Sequence, residues 1–284
     1  MGDWPTVVDA CSTALLVGPN TVPLRQLRLE AYEHLVDGEG YVGDLSRLTT
    51  LQPSSTTYSL RLAYYSHLVQ NDPGRAAGYI KQALHYDPDS APHRKVHKLV
   101  RSVEKQVAQA RNFVEGSRYR EALKILIGDA TGASSTSTST KGLVQLVKDA
   151  ITTATPMFIP SSFTPHSNSL LLLELYRLTL KSYLGLDRSN PDELEKYADL
   201  VLGMPAGEGD LDALVAKGEV FNKKEMWEEA VRTFNEAFEK GGRSSRDVSL
   251  ADGTNEMSPR GGPRDSSRRT RSRSWAGCRP HRRD

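Results

Sequence analysis

Between Leu214 and Ala237 small and large residues recur at fixed positions, and this spacing constrains the fold more than any other feature of the chain. Leu214-x-x-x-Gly218-x-x-Phe221 is followed by Ala230-x-x-x-Phe234-x-x-Ala237. Two helices cross closely only where the side chains at the crossing are small, so Gly218 and Ala230 mark the contact and Phe221 and Phe234 fill the gaps beside it. Trp227 opens the second helix. One such pair cannot bury its apolar side alone, and the pattern therefore predicts neighbours of the same kind.

The spacing is that of the tetratricopeptide (TPR) repeat, a helix-turn-helix unit of about 34 residues. Lys217 and Gly242 are its clear departures. Ala76, Ala83 and Pro88 reproduce the second-helix alanines and closing proline, with Leu60 to Gln70 as the preceding helix. Ala110, Phe113, Gly116, Tyr119 and Ala122 begin another repeat, which dissolves at Gly128. Leu24 to Leu35 and Tyr41 to Leu51 read as an earlier pair, with Tyr41 where alanine is expected, which predicts a splayed crossing. Ala14 and Pro19 read as the end of a second helix, so the chain is expected to begin inside a repeat. The fold class that follows is all-α: a TPR solenoid with a disordered basic C-terminal tail.

The periodicity predicts helices over Pro5–Val17, Pro23–Leu35, Tyr41–Leu51, Thr56–Gln70, Arg75–Tyr86, Ala91–Glu115, Tyr119–Ile127, Leu143–Thr153, Leu170–Leu184, Pro191–Leu202, Leu211–Asn222 and Met226–Lys240. Prolines fall at helix starts, where a missing amide hydrogen costs little. Five regions follow: an N-terminal TPR part over 1–90, a long connecting helix and the next repeat helix over 91–127, a helix with flexible flanking insertions over 128–168, a C-terminal TPR part over 169–242, and a tail over 243–284. The low-complexity run Gly128 to Thr140 is expected to be mobile and Pro156 to Ser169 irregular.

Charge divides at the tail. Residues from 243 onward hold 11 arginines and 5 acids, leaving 26 basic and 30 acidic residues before them. The global net charge of +2 thus combines an acidic body with a basic tail. The longest apolar cluster, Leu170 to Leu173, runs into Glu174 and Arg177 and reads as an amphipathic helix, so no membrane association is expected. Cys11 and Cys278 give no disulfide framework. The start, Met-Gly-Asp-Trp-Pro, has no basic stretch and apolar core, so no signal peptide is expected in the chain as written.

The order of segments resembles the TPR and J-domain (DnaJ-type) co-chaperones of the endoplasmic reticulum lumen. The resemblance rests on Leu27-Arg28-Leu29-Glu30-Ala31-Tyr32, on Tyr64-Tyr65 ahead of Ala76 and Ala83, on the long helix leading into Gly116 to Ala122, and on Leu211 to Lys240, and it covers roughly residues 5 to 245. It implies a scaffold that binds unfolded client polypeptides, acts in protein folding and the unfolded protein response, and partners a heat-shock chaperone of the BiP type. It also implies the endoplasmic reticulum lumen; a complete chain without a leader would instead be cytoplasmic. The family's J domain works through a His-Pro-Asp tripeptide, which is lacking here, so stimulation of a chaperone ATPase is not expected. The change of composition after Asp247 reads as a truncated or alternative C-terminus.

Other chemistries fare poorly. A carboxylate clamp needs a cation and then Asn four residues later on a first helix. The corresponding pairs, Gln26 and Glu30, Arg61 and Tyr65, Val107 and Arg111, and Val215 and Glu219, do not fit. His93 and His97 have zinc-like spacing but sit among Arg94, Lys95 and Lys98 without an adjacent glutamate, and read as a solvated basic patch. Gly128 and Gly132 lack the Lys-Ser/Thr ending of a phosphate cradle, and nothing marks a catalytic set. Neither an enzyme nor a cofactor is expected. The tail segment Ser266 to Ser274 resembles Arg/Ser segments that neutralise RNA phosphates, although nucleic acid is not the expected partner. The alternative to a co-chaperone is a general TPR adaptor of the cytosol or nucleus. Tyr64, Tyr65 and Phe221 are the candidate client contacts, against the simpler reading of inter-repeat core.

Overall fold

A computed structural model describes residues 3–128, 141–186 and 190–251, with side chains through Gly241. Thirteen helices follow in order among these residues: α1 (Trp4–Val17), α2 (Val22–Leu35), α3 (Gly38–Leu51), α4 (Thr56–Tyr64), α5 (Pro73–Tyr86), α6 (Ala91–Glu115), α7 (Tyr119–Leu126), α8 (Leu143–Ala154), the single-turn α9 (Pro165–Asn168), α10 (Leu170–Leu184), α11 (Pro191–Leu202), α12 (Leu211–Lys223) and α13 (Trp227–Ala251). No strand occurs among the described residues. The protein is an all-α TPR solenoid, in which each helix from α1 to α7 packs on the next.

Local chemistry sets the helix starts. Asp3, Asp37, Asp72, Ser169, Asn190 and Asp210 each precede a helix and accept a hydrogen bond from a backbone amide of its first turn. Those amides have no partner inside the helix, so each cap contributes about 1 kcal/mol. Prolines occupy the first helical turn of α1, α2, α5, α6, α9 and α11.

The array does not run evenly along the chain. α10 packs directly on α7, so α8 and the turns after it are inserted between consecutive members of the solenoid. At the join, the ring of Tyr119 lies so close to Gly185 that a Cβ there would stand 2.3 Å from it. From α10 the array resumes, α10 on α11 and α11 on α12.

Three expectations are corrected. Tyr41 does not splay α2 from α3: it is fully buried and its ring lies 5.4 Å from that of Tyr65 and 5.2 Å from that of Phe163. The helices approach through the neighbouring Gly40, where a Cβ would come within 2.6 Å of the Tyr32 ring. The stretch after α8 is not a flexible insertion. Ile159 and Phe163 are buried in the main core, Phe158 stacks on Tyr64 at 5.1 Å, and a 3₁₀ turn over Ser161–Phe163 leads into α9. Its apolar residues anchor it. Finally, the last helix does not stop before residue 243; α13 continues to Ala251, since no proline interrupts Arg243 to Ala251 and Asp252-Gly253 comes only beyond it. Residues up to Gly242 form one compact unit. The expected mobile run, apart from Gly128, lies outside the described residues, as do the Arg/Ser segment and Cys278.

The helix predicted over Thr56 to Gln70 is interrupted. Tyr65–Val69 forms a π turn, with the Gln70 amide bonded to the Tyr65 carbonyl at 3.1 Å and the Asp72 amide to that of Ser66 at 2.8 Å. The Leu68 carbonyl lies in the last turn, where helix carbonyls lack an intrahelical amide. The Ser169 hydroxyl donates to it at 2.5 Å and accepts from the Leu172 amide at 3.0 Å, so one side chain ties the turn to the start of α10.

Candidate protein-binding surface

The repeat positions read from the sequence fall into two groups. Ala76, Ala83, Ala110, Ala122, Leu214, Ala230 and Ala237 are buried, as residues at helix crossings must be. Gly218 is also buried, and a Cβ there would lie 2.6 Å from the Phe234 ring, so a larger residue would have to displace that ring. Tyr119 is half-buried against Gly185, and Pro88 is exposed in the turn before α6.

The suggested client contacts are not brought together. Tyr65 is buried, edge-on to Phe163 at 5.5 Å, and this corrects its reading as a contact residue. Burial raises the pKa of its phenol and still more that of Tyr41, so both remain neutral. Tyr64 is half-buried beneath Phe158, and Phe221 is half-buried with the Lys217 ammonium 6.0 Å from its ring centroid. Phe221 and Tyr64 are therefore only partly open to solvent.

The exposed apolar surface lies elsewhere. Trp227, Val231, Phe234 and Phe238 recur along α13 at spacings of four, three and four, so they share one side of the helix. Val231, Phe234 and Phe238 are 59%, 38% and 81% exposed. α12 runs antiparallel beneath them, with Gly218 at Phe234 and Leu211 at Gly241, and contributes the exposed Leu211 and Val215 to the same end of the pair. The three aromatics alone leave on the order of 350 Å² open, as large as the main apolar patch of many monomers. Periodicity singled out Phe234 as a filler but not Val231 and Phe238. The available signal was the width of the stripe: Ala230, Phe234 and Ala237 already face α12, and Val231 and Phe238 widen the apolar side beyond what the pair covers.

Polar groups elsewhere are structural. His93 is not solvated: it is buried, with its ring nitrogens 2.7 Å from the hydroxyls of Ser59 and Ser90, which joins α4 to the start of α6 and corrects the reading of a basic patch at this residue. Asp44, also buried, accepts from Arg25 at 2.7 Å and twice from Arg28 at 2.7 Å, linking α3 to α2. Among the described residues no three His, Cys, Asp or Glu side chains are placed to hold a metal ion, and no helix is long and apolar enough to cross a membrane.

No protein-family model matches the chain. It is 36% identical over 249 residues to the tetratricopeptide repeat and J domain-containing co-chaperone DNJ1 of Cryptococcus neoformans var. grubii, covering 86% of this chain and 45% of that protein. The same-named protein of Mycosarcoma maydis is 30% identical over 261 residues, covering 86% and 43%, and that of Fusarium oxysporum f. sp. lycopersici 25% identical over 238 residues, covering 84% and 43%. The chain thus spans a little under half the length of these relatives. Among solved structures it resembles the TPR domain of P58(IPK), with a TM-score of 0.54 and 16% identity over 89% of this chain and 63% of that one. Fold and sequence agree: the chain is a tetratricopeptide-repeat solenoid, similar over most of its length to part of the TPR and J-domain co-chaperones.

Proposed function

We propose that this chain is the client-binding scaffold of a co-chaperone in the endoplasmic reticulum, holding apolar stretches of unfolded polypeptide while a heat-shock chaperone of the BiP type acts on them. The observation that carries the reading is the row Val231, Phe234 and Phe238, which stands open to solvent beside Leu211 and Val215. An unfolded client exposes short apolar segments, and burying their side chains against this row removes apolar area from water on both partners. The similarity to proteins named as co-chaperones supports the reading.

The test is suppression of aggregation. The purified chain should slow light scattering by reduced, unfolded α-lactalbumin at near-stoichiometric ratio without stimulating the ATPase of a heat-shock chaperone. Phe234→Ser combined with Phe238→Ser should lose most of the suppression and keep the helical content. A correctly folded chain with no effect on scattering would overturn the proposal.

A further inference from the structure

Most described cations of this chain are tied to a partner. Arg25 and Arg28 hold Asp44, Arg61 holds Glu33, Arg111 holds Glu174, Arg177 holds Asp210, Lys217 holds Asp199 and Lys224 holds Glu195. α6 departs from this rule. Lys95, Lys98, Arg101 and Lys105 are all exposed and make no hydrogen bond or ion pair within the described residues.

Their placement is ordered. Spacings of three, three and four put them on one side of α6, opposite the buried row Val96, Val100, Val103 and Val107. The row is about 15 Å long at 1.5 Å per residue. Arg94 lies at its head, already bound to Asp89 at 2.6 Å. Between Asp89 and Glu115 the only acid is Glu104, and it makes no ion pair among the described residues. A body with more acidic than basic residues thus concentrates unneutralised positive charge on one helix face.

We infer that this face of α6 is a docking surface for an acidic segment of another polypeptide. The cations stand about 4.5 to 6 Å apart along the axis. Alternate side chains of an extended peptide are about 6.6 Å apart, so three carboxylates at alternate positions span about 13 Å and lie within the length of the row, each in reach of a long cationic side chain. A membrane surface fits less well: α6 contributes no large exposed apolar residue to insert between headgroups. Single-stranded nucleic acid fits less well too, because the one Phe of α6, Phe113, is half-buried with the Arg118 guanidinium 4.7 Å over its ring, so no aromatic is free to stack on bases. Each exposed ion pair is weak, so binding depends on several acting together and is screened by salt.

The test measures fluorescence anisotropy of a labelled deca-glutamate peptide against the full chain at about 50 mM and about 500 mM salt. Two variants remove the same number of charges: Lys95→Gln with Lys98→Gln, Arg101→Gln and Lys105→Gln on α6, and Arg268→Gln with Arg269→Gln, Arg271→Gln and Arg273→Gln in the tail. The α6 variant should lose about tenfold or more in affinity and the tail variant less than about threefold, with binding of the unaltered chain abolished at high salt. No binding at low salt, or a larger loss from the tail variant than from the α6 variant, would overturn the inference. So would tighter α6-dependent binding of a deca-thymidine oligonucleotide or of phosphatidylserine vesicles. If the fourfold α6 variant fails to fold, Lys98→Glu alone replaces it and should weaken the peptide by about threefold or more.

Discussion

Tyr41, Tyr65 and Phe163 form a closed triangle with ring centroids 5.2 to 5.5 Å apart, whereas Phe234 touches Gly218 on one side and Phe238 lies almost wholly in solvent. Tyr41 in α3 and Phe234 in α13 are both large residues beside a close helix crossing, at Gly40 and at Gly218. The first is sealed because the inserted segment after α8 brings Phe163 onto it; the second has no described neighbour beyond α13. An aromatic at a repeat position is therefore core or surface according to what lies beside its pair, and its own helix does not decide which.

The contrast can be tested by truncating each side. Phe163→Ala should cost about 3–5 kcal/mol in urea unfolding, because it empties a site with no route for collapse, while Phe238→Ala should cost less than about 0.5 kcal/mol. Equal costs would erase the distinction. The sealed region should also be acid-sensitive. His67, in the π turn, is buried with neither ring nitrogen bonded, and burial lowers its pKa from 6.5 to about 4. Between those values the unfolded chain takes up a proton that the folded chain refuses. Its contribution is intact above pH 6.5 and is lost as the pH falls toward 4, amounting to up to about 3 kcal/mol. His67→Leu should flatten the pH dependence of stability in this window, and Phe238→Ala should leave it unchanged. Gly218→Ala places a methyl group against Phe234 and should cost about 1–3 kcal/mol, with hydrogen exchange rising in α12 and α13 and not in α3. A smaller loss is expected for Ser169→Ala, which removes a cap and the bond to Leu68, at about 1 kcal/mol in the same unfolding measurement.

Much of this architecture was legible from the residues. Small side chains at Ala76, Ala83, Ala122 and Ala230 announced helix crossings because steric contact leaves few alternatives, and Pro92 and Pro191 marked helix starts because proline tolerates little else. What escaped was long-range. Phe158, Ile159 and Phe163 sit in a proline- and serine-rich stretch without helical period, and only the gap beside Tyr41 and Tyr65 gives them a place. The misreading of Tyr65 as a surface contact has the same origin. The exposed row on α13 was half visible: its spacing is regular, but whether a second apolar stripe is covered is a fact about neighbours, on which a single helix is silent.

The π turn at Tyr65–Val69 and the inserted segment meet at one hydroxyl, that of Ser169, and this makes them a single departure from the repeat. A relative that loses the stretch between α8 and α10 loses the donor for the Leu68 carbonyl and the cover over Tyr41, and is best served by an unbroken α-helix there, one residue shorter. Length changes at the two places, about a hundred residues apart in the chain, should accordingly be inherited together.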